Sequence, residues 1–117
     1  MRRTSFQPGQ TVFAQGDASN YAYFIISGKI EIALDTAQGR TPLSALGAGE
    51  VFGEMGLIES GPRSATATAL EDTRCLALDA EELLGLLESD PKEAVVFVRT
   101  LIHRLREANR RLAQGGV

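Results

Sequence analysis

The sequence predicts a mainly β chain with helices at its C-terminal end, and three observations carry that expectation. From Phe6 to Leu78 short apolar runs alternate with turn residues every few positions, a spacing that suits antiparallel strands packed as a sandwich or barrel. From Asp79 onward helix replaces strand, announced by Asp79-x-x-Glu82, which has the form of a capping box, and by Asp90-Pro91-x-Glu93, which repeats it with Pro at the first helical position. No internal repeat, low-complexity stretch or linker divides the 117 residues. They are expected to form one domain, residues 1–117, large enough for a real core.

Each element has its own reason. Phe6-Gln-Pro-Gly-Gln-Thr-Val-Phe13 reads as an edge strand with a Pro-Gly bend, because Pro cannot donate to a ladder, and Gln15-Gly16-Asp17 follows as a turn. Tyr21 to Ser27 is apolar at nearly every position, which suggests a strand covered on both faces, and Ser27-Gly28-Lys29 reverses the chain. Ile30, Ile32 and Leu34 alternate with Lys29, Glu31 and Ala33, so one side faces the core. Asp35 to Arg40 is a polar hairpin loop, Thr41 to Leu46 returns, and Gly47-Ala48-Gly49 turns the chain again. After an unusual stretch taken up below, Ser64 to Leu70 is a strand of β-branched and small residues, Glu71-Asp72 a turn, and Thr73 to Leu78 another strand. The strands thus occupy about 6–78 and the helices about 80–88 and 91–113, the second stopped by Gly115 and Gly116.

Along the last helix Val95, Val98, Ile102, Leu105, Ala108 and Leu112 recur at three and four residues and form one apolar stripe. Such a stripe needs cover: the sheets, a bound ligand, or a second copy of itself in a homodimer. The other face carries Arg99, Arg106 and Arg110, with Arg104 and Arg111 near them; these read as a solvated face whose cations suit the negative end of the helix dipole.

Composition narrows the function. A net charge of −3 argues against general nucleic-acid binding, which needs a basic surface to displace counterions. Cys75 is the single cysteine and His103 the single histidine, so there is no intramolecular disulfide, no zinc cluster and no motif for nucleophilic catalysis. Cys75 reads as a core residue, His103 as a partly exposed helix residue, and the chain as neither a metalloprotein nor an enzyme. No apolar run approaches membrane-spanning length, and the basic Met1-Arg2-Arg3-Thr4 has no apolar segment behind it, so a cytoplasmic location is the default.

The run from Val51 to Ala67 is the part that makes little sense as ordinary packing. Gly53 and Gly56 bracket Glu54-Met55-Gly56-Leu57-Ile58, a short apolar turn in which backbone N–H groups at a helix start can converge on an anion, and glycine removes the Cβ that would block the approach. Gly61-Pro62 then delivers Arg63, whose planar fork of donors can grip two phosphate oxygens, with the Ser64 hydroxyl beside it. Glu54 would repel an anion unless it accepts hydrogen bonds from another part of the same ligand, and a sugar hydroxyl fits. Singly, these residues are turn glycines and a surface ion pair between Glu54 and Arg63; in this order they read as a built site.

Phe52-Gly-Glu-Met-Gly-Leu-Ile58 followed by Pro62-Arg-Ser-Ala-Thr66 resembles the phosphate-binding cassette of the cyclic nucleotide-binding domains, the family of bacterial catabolite-activator regulators, protein kinase regulatory subunits and nucleotide-gated channels. The resemblance extends from Phe6 to roughly Leu112. It implies a jelly-roll-like double-stranded β-roll followed by two helices, the last a lid over the base. It implies that Gly53, Met55 and Gly56 shape the backbone around the ligand, that Glu54 takes the ribose 2′-hydroxyl, and that Arg63 and Ser64 hold the cyclic phosphate. Ile32, Leu43 and Val51 fall where relatives line the sugar and base pocket, Arg104 matches a residue reaching the phosphate from the lid, and Asn109, next to Ala108, sits where the adenine amine is contacted. Ser64 rather than Thr leans toward cAMP over cGMP. Neither the helices that usually precede the roll nor an effector after Val117 is found in this sequence, so it reads as a sensor without its effector, either an excised domain or a free-standing binding module. Two functions follow: a regulatory sensor for a cyclic nucleotide that signals by moving its terminal helix, or a structural or dimerisation roll with a vestigial site.

Overall fold

The structure is a computed structural model and describes residues 1–92, 94, 95 and 99. The chain divides into two compact units, Met1–Leu83 and Leu84–Val117, and the strands among the described residues lie in the first. Eight strands form two antiparallel four-stranded sheets. One has the order β1 (Arg2–Phe6), β8 (Thr73–Leu78), β3 (Ala22–Ser27), β6 (Val51–Phe52); the other has the order β2 (Thr11–Phe13), β7 (Thr66–Ala69), β4 (Ile30–Thr36), β5 (Gly39–Leu46). Apart from the β4–β5 hairpin, neighbouring strands in both sheets are distant in sequence, the architecture of a β-roll. Its centre holds Ile25, Ile30, Phe52, Ala67, Ala69 and Cys75, with Phe13, Tyr23 and Ile32 packed against them. Cys75 is fully buried as the sequence predicts, and that burial pushes its thiol up to about 11.

Five expectations about strands need correction, each for a local reason. The segment Phe6–Phe13 is two strands in different sheets, because Pro8 cannot pair and Gly9, at φ 84°, turns a corner closed by the Gly9 amide donating to Ala69 O (2.8 Å). The Ala22–Ser27 strand is not covered on both faces: the register with β8 shifts between Ile25 and Ser27, and the bulged Ile26 is left 44% exposed. Ala33, assigned to the solvent side, is buried, its small side chain lying between the larger cross-strand neighbours Thr66 and Pro42. The Asp35–Arg40 loop shrinks to a tight turn between the paired Thr36 and Gly39, held by the Thr36 hydroxyl donating to Gly39 O (2.8 Å).

The strand expected over 64–70 is confined to Thr66–Ala69, because the residues before it are engaged by the β2–β3 loop instead of by β4. The capping box forms reciprocally: the Glu82 amide donates to Asp79 Oδ1 (2.8 Å) and the Asp79 amide to Glu82 Oε1 (3.1 Å), opening α2 (Ala80–Ser89). In the second unit the Lys92 amide donates to Asp90 Oδ1 (3.0 Å), and Pro91, Lys92, Ala94, Val95 and Arg99 are helical. The rest of the expected helix, with Val98, Ile102, His103, Arg104, Leu105, Ala108, Asn109 and Leu112, lies outside the described residues.

Candidate functional site

The cassette folds as β6 running into a short helix, α1 (Glu54–Glu59), entered and left through left-handed residues. Gly53 caps the N-terminal end at φ 79°, ψ 6°, a conformation that costs an L-residue about 1–2 kcal/mol. A Cβ built on Gly53 would sit 2.6 Å from Arg63 Nη1, and one built on Gly56 would collide with the Ser19 hydroxyl. The two glycines therefore do more than open the backbone: each makes room for a side chain arriving from elsewhere in the fold. Ser60, at φ 56°, ends the helix with its amide donating to Gly56 O.

Arg63 is the centre of the arrangement. Its side chain is drawn inside, only 5% exposed, with Nη1 donating to Gly53 O (2.7 Å), Nη2 to Tyr21 O, and the guanidinium lying over the Phe13 ring at 4.0 Å from its centroid. Nε has no hydrogen-bond acceptor among the described residues. Burial pulls the guanidinium below its ordinary value, opposed by the Tyr23 hydroxyl and by the carboxylates of Glu54 and Asp17. Glu54 is fully buried beside it at the first position of α1. The alternative of a surface ion pair between these two residues is thus excluded by position: both charges are inside.

The main chain of Arg63 is held as firmly as its side chain. The Arg63 amide donates to Asp17 O and the Gly16 amide to Arg63 O, both at 2.8 Å, while Ala18 bridges to Pro62 and the Ser19 hydroxyl donates to Gly61 O (2.6 Å). Phe13 also touches Tyr23 and Phe52, which stack on each other at 5.2 Å between centroids, so the guanidinium caps an aromatic cluster built by β2, β3 and β6. Phe13, Asp17, Ser19 and Tyr21 are parts of the site that the sequence did not reveal. Gly16-Asp17 reads there only as a turn, and no local pattern links it to a residue more than forty positions on.

The remaining predicted residues fall around this centre. Ser64 is exposed directly after Arg63, and Met55 is 47% exposed on α1. Ile32 and Leu43 are half-buried on neighbouring strands, with Leu43 at a register shift: Ile32 pairs with Ser44 and Ala33 with Pro42, leaving Leu43 as the bulged residue. Val51, half-buried, pairs with Phe24 in the other sheet and leads straight into Gly53. Arg104 and Asn109 lie outside the described residues. An open cavity of about 530 Å³ borders Leu57, Ser60, Gly61 and Pro62 and includes neither Glu54 nor Arg63. Among the described residues no group of His, Cys, Asp or Glu side chains is placed to hold a metal, and no helix is long and apolar enough to cross a membrane.

A family model described as the cyclic nucleotide-binding domain matches residues 3–90. The chain belongs to the cyclic nucleotide-binding domain family. A relative from Thermus thermophilus named cyclic AMP receptor protein is 40% identical over 109 residues, 92% of this chain and 50% of the relative. The CRP-like cAMP-activated global transcriptional regulator of Mycobacterium tuberculosis is 33% identical over 114 residues, 97% of this chain and 51% of that protein. The crystal structure of the Thermus thermophilus catabolite activator protein superposes with a TM-score of 0.87 at 39% identity, covering 98% of this chain and 55% of that one. The β-roll is therefore the family's, and the chain spans about half the length of the relatives it matches.

Proposed function

We propose that this cyclic nucleotide-binding domain is a cAMP sensor that performs no chemistry and passes its occupancy to an effector through its C-terminal helix. The observation that carries the reading is Arg63: a guanidinium 5% exposed, with an Nε donor that has no acceptor among the described residues, set in the cassette. Burying a cation is expensive, the two carbonyls and the neighbouring carboxylates of Glu54 and Asp17 offset part of that cost, and an anionic ligand that accepts from the free Nε would offset more. A cyclic phosphate would accept from Arg63 and from Ser64. Glu54, an acceptor when ionised, would take the ribose 2′-hydroxyl, and Ile32, Leu43 and Val51 would form an apolar slot for the sugar and base. Arg104 would reach the phosphate and Asn109 the adenine amine from the terminal helix.

The preference for cAMP rests on Ser64 and on the names of the two relatives, one a cyclic AMP receptor and the other cAMP-activated. Because those relatives are about twice as long, the output this sensor controls is a matter for the segments or partners that accompany it. The test is a competition titration of the purified chain. cAMP is expected to bind and cGMP to displace it only at higher concentration. Displacement by cGMP at equal or lower concentration overturns the preference, and failure to bind either nucleotide overturns the sensor and leaves the structural roll.

A further inference from the structure

Three residues that supply no proposed ligand contact, Asp35, Gln15 and Thr66, meet in a closed ring of hydrogen bonds. The Asp35 amide, near the end of β4, donates to Gln15 Oε1 (2.9 Å); the Gln15 amide, in the β2–β3 loop, donates to Thr66 Oγ1 (3.0 Å); and the Thr66 hydroxyl, at the start of β7, donates to Asp35 Oδ2 (2.8 Å). Each residue gives one bond and receives one. Thr66 is 2% exposed, whereas Asp35 and Gln15 are at the surface, so the ring ties a buried hydroxyl to a carboxylate at the rim. A hydroxyl that accepts an N–H while donating to a carboxylate is polarised in the same sense by both partners, and each bond strengthens the other. Arg40 Nε, 3.4 Å from Asp35 Oδ1, engages the other carboxylate oxygen.

The loop that this ring fastens is the loop that holds Arg63. Immediately after Gln15, Gly16 and Asp17 make the two main-chain bonds to Arg63, and two residues before it Phe13 supplies the face under the guanidinium. Regular pairing between β2 and β7 ends at Phe13 with Ala67. Beyond that pair, the ring is the side-chain link between the loop and β7 that lies nearest the clamp, and Thr66 stands only three residues after Arg63. We propose that Asp35, Gln15 and Thr66 are positioning residues for Arg63, setting its attitude toward the ligand and coupling the β4–β5 hairpin to the anion site. The proposal rests on the reading of Arg63 as the ligand of the cyclic phosphate. A planar donor fork has to be held to a fraction of an ångström to bind two oxygens at once, so a support that lets the loop drift weakens binding without touching the ligand.

The test uses the full chain with Thr66→Val, which keeps the shape and removes the hydroxyl, Thr66→Ser, which restores it, and Asp35→Ala at the exposed end. Amide hydrogen exchange without ligand should quicken about tenfold at Gly16 and Arg63 in Thr66→Val and Asp35→Ala, while the Ile25 and Cys75 amides keep the parent's rate; Thr66→Ser should return to the parent. The dissociation constant for cAMP should rise about tenfold in the first two variants, the size of one charge-assisted hydrogen bond, and recover in Thr66→Ser. Unchanged exchange at Gly16 and Arg63, a rise shared equally by the core amides, or cAMP affinity within about twofold of a parent that binds would each overturn the proposal. If Thr66→Val does not fold, Asp35→Ala carries both measurements. If the parent itself binds no cAMP, the cyclic-nucleotide reading fails separately, and the exchange pattern alone decides whether the ring positions Arg63.

Discussion

Arg63 is gripped from three directions, by the carbonyls of Gly53 and Tyr21, by the Phe13 ring, and by the main chain of Gly16 and Asp17. If Arg63 is the phosphate ligand as proposed, a phosphate entering the cassette would meet a cation whose place is already prepared, which would lower the ordering cost of binding. Gly53 shares in that preparation. Gly53→Ala should cost about 1–2 kcal/mol of stability through its left-handed backbone, read as a lower urea midpoint, and should also weaken cAMP binding because the new Cβ would displace Nη1. A variant with the parent's midpoint and affinity would show that neither constraint matters. Cys75 offers a test of the core that is independent of any ligand. Its thiol is raised from an ordinary 9.0 to about 11 by burial, so between those values the unfolded chain loses a proton that the folded chain keeps. Stability is therefore expected to fall as pH rises from 9 through about 11, less steeply in Cys75→Ala, and native Cys75 should resist thiol reagents at pH 8. Rapid labelling of the native protein at that pH would contradict the packing.

Among the elements, those with strong local signals were legible in the sequence. The reciprocal bonds of Asp79 and Glu82 form as their spacing requires, and the strands Thr73–Leu78 and Ala22–Ser27 lie close to where their apolar runs place them. What was not legible depends on partners far away in the chain. The bulges at Ile26 and Leu43 arise from register between strands, which a single strand's alternation does not encode. Leu43 illustrates the consequence, since the shift re-aims a residue proposed for the ligand slot. At this scale the signalling reading also has its test. The sequence predicts a helix over 91–113, and if that helix docks over bound nucleotide, only its extra contacts in the docked state can shift the population. Hydrogen exchange across Val95 to Leu112 should then slow when cAMP saturates the chain. Equal exchange with and without nucleotide would remove the lid.

For the whole molecule, the roll explains why a site can be assembled from short strands with small residues. The sheet orders β1-β8-β3-β6 and β2-β7-β4-β5 bring residues 13 to 21 against residues 53 to 63, so the cassette closes on a loop from the N-terminal part of the chain. The cassette itself was readable because its glycines, Glu54 and Arg63 fall in one short run of sequence; the loop that holds it was not, because its role is created by sheet order. Everything proposed for the site depends on Arg63 as the phosphate ligand. Replacing it by Leu leaves a buried phosphate without its counter-charge, a loss of about 3–5 kcal/mol for such pairs, or roughly two to three and a half decades in affinity. The same change deprives Gly53 O and Tyr21 O of their donor, so the fold of the variant is to be checked by urea unfolding before binding is compared. The deciding measurement is the calorimetric dissociation constant for cAMP of folded Arg63→Leu beside that of the parent chain: a rise of about a hundredfold or more is predicted, and equal constants would contradict the claim.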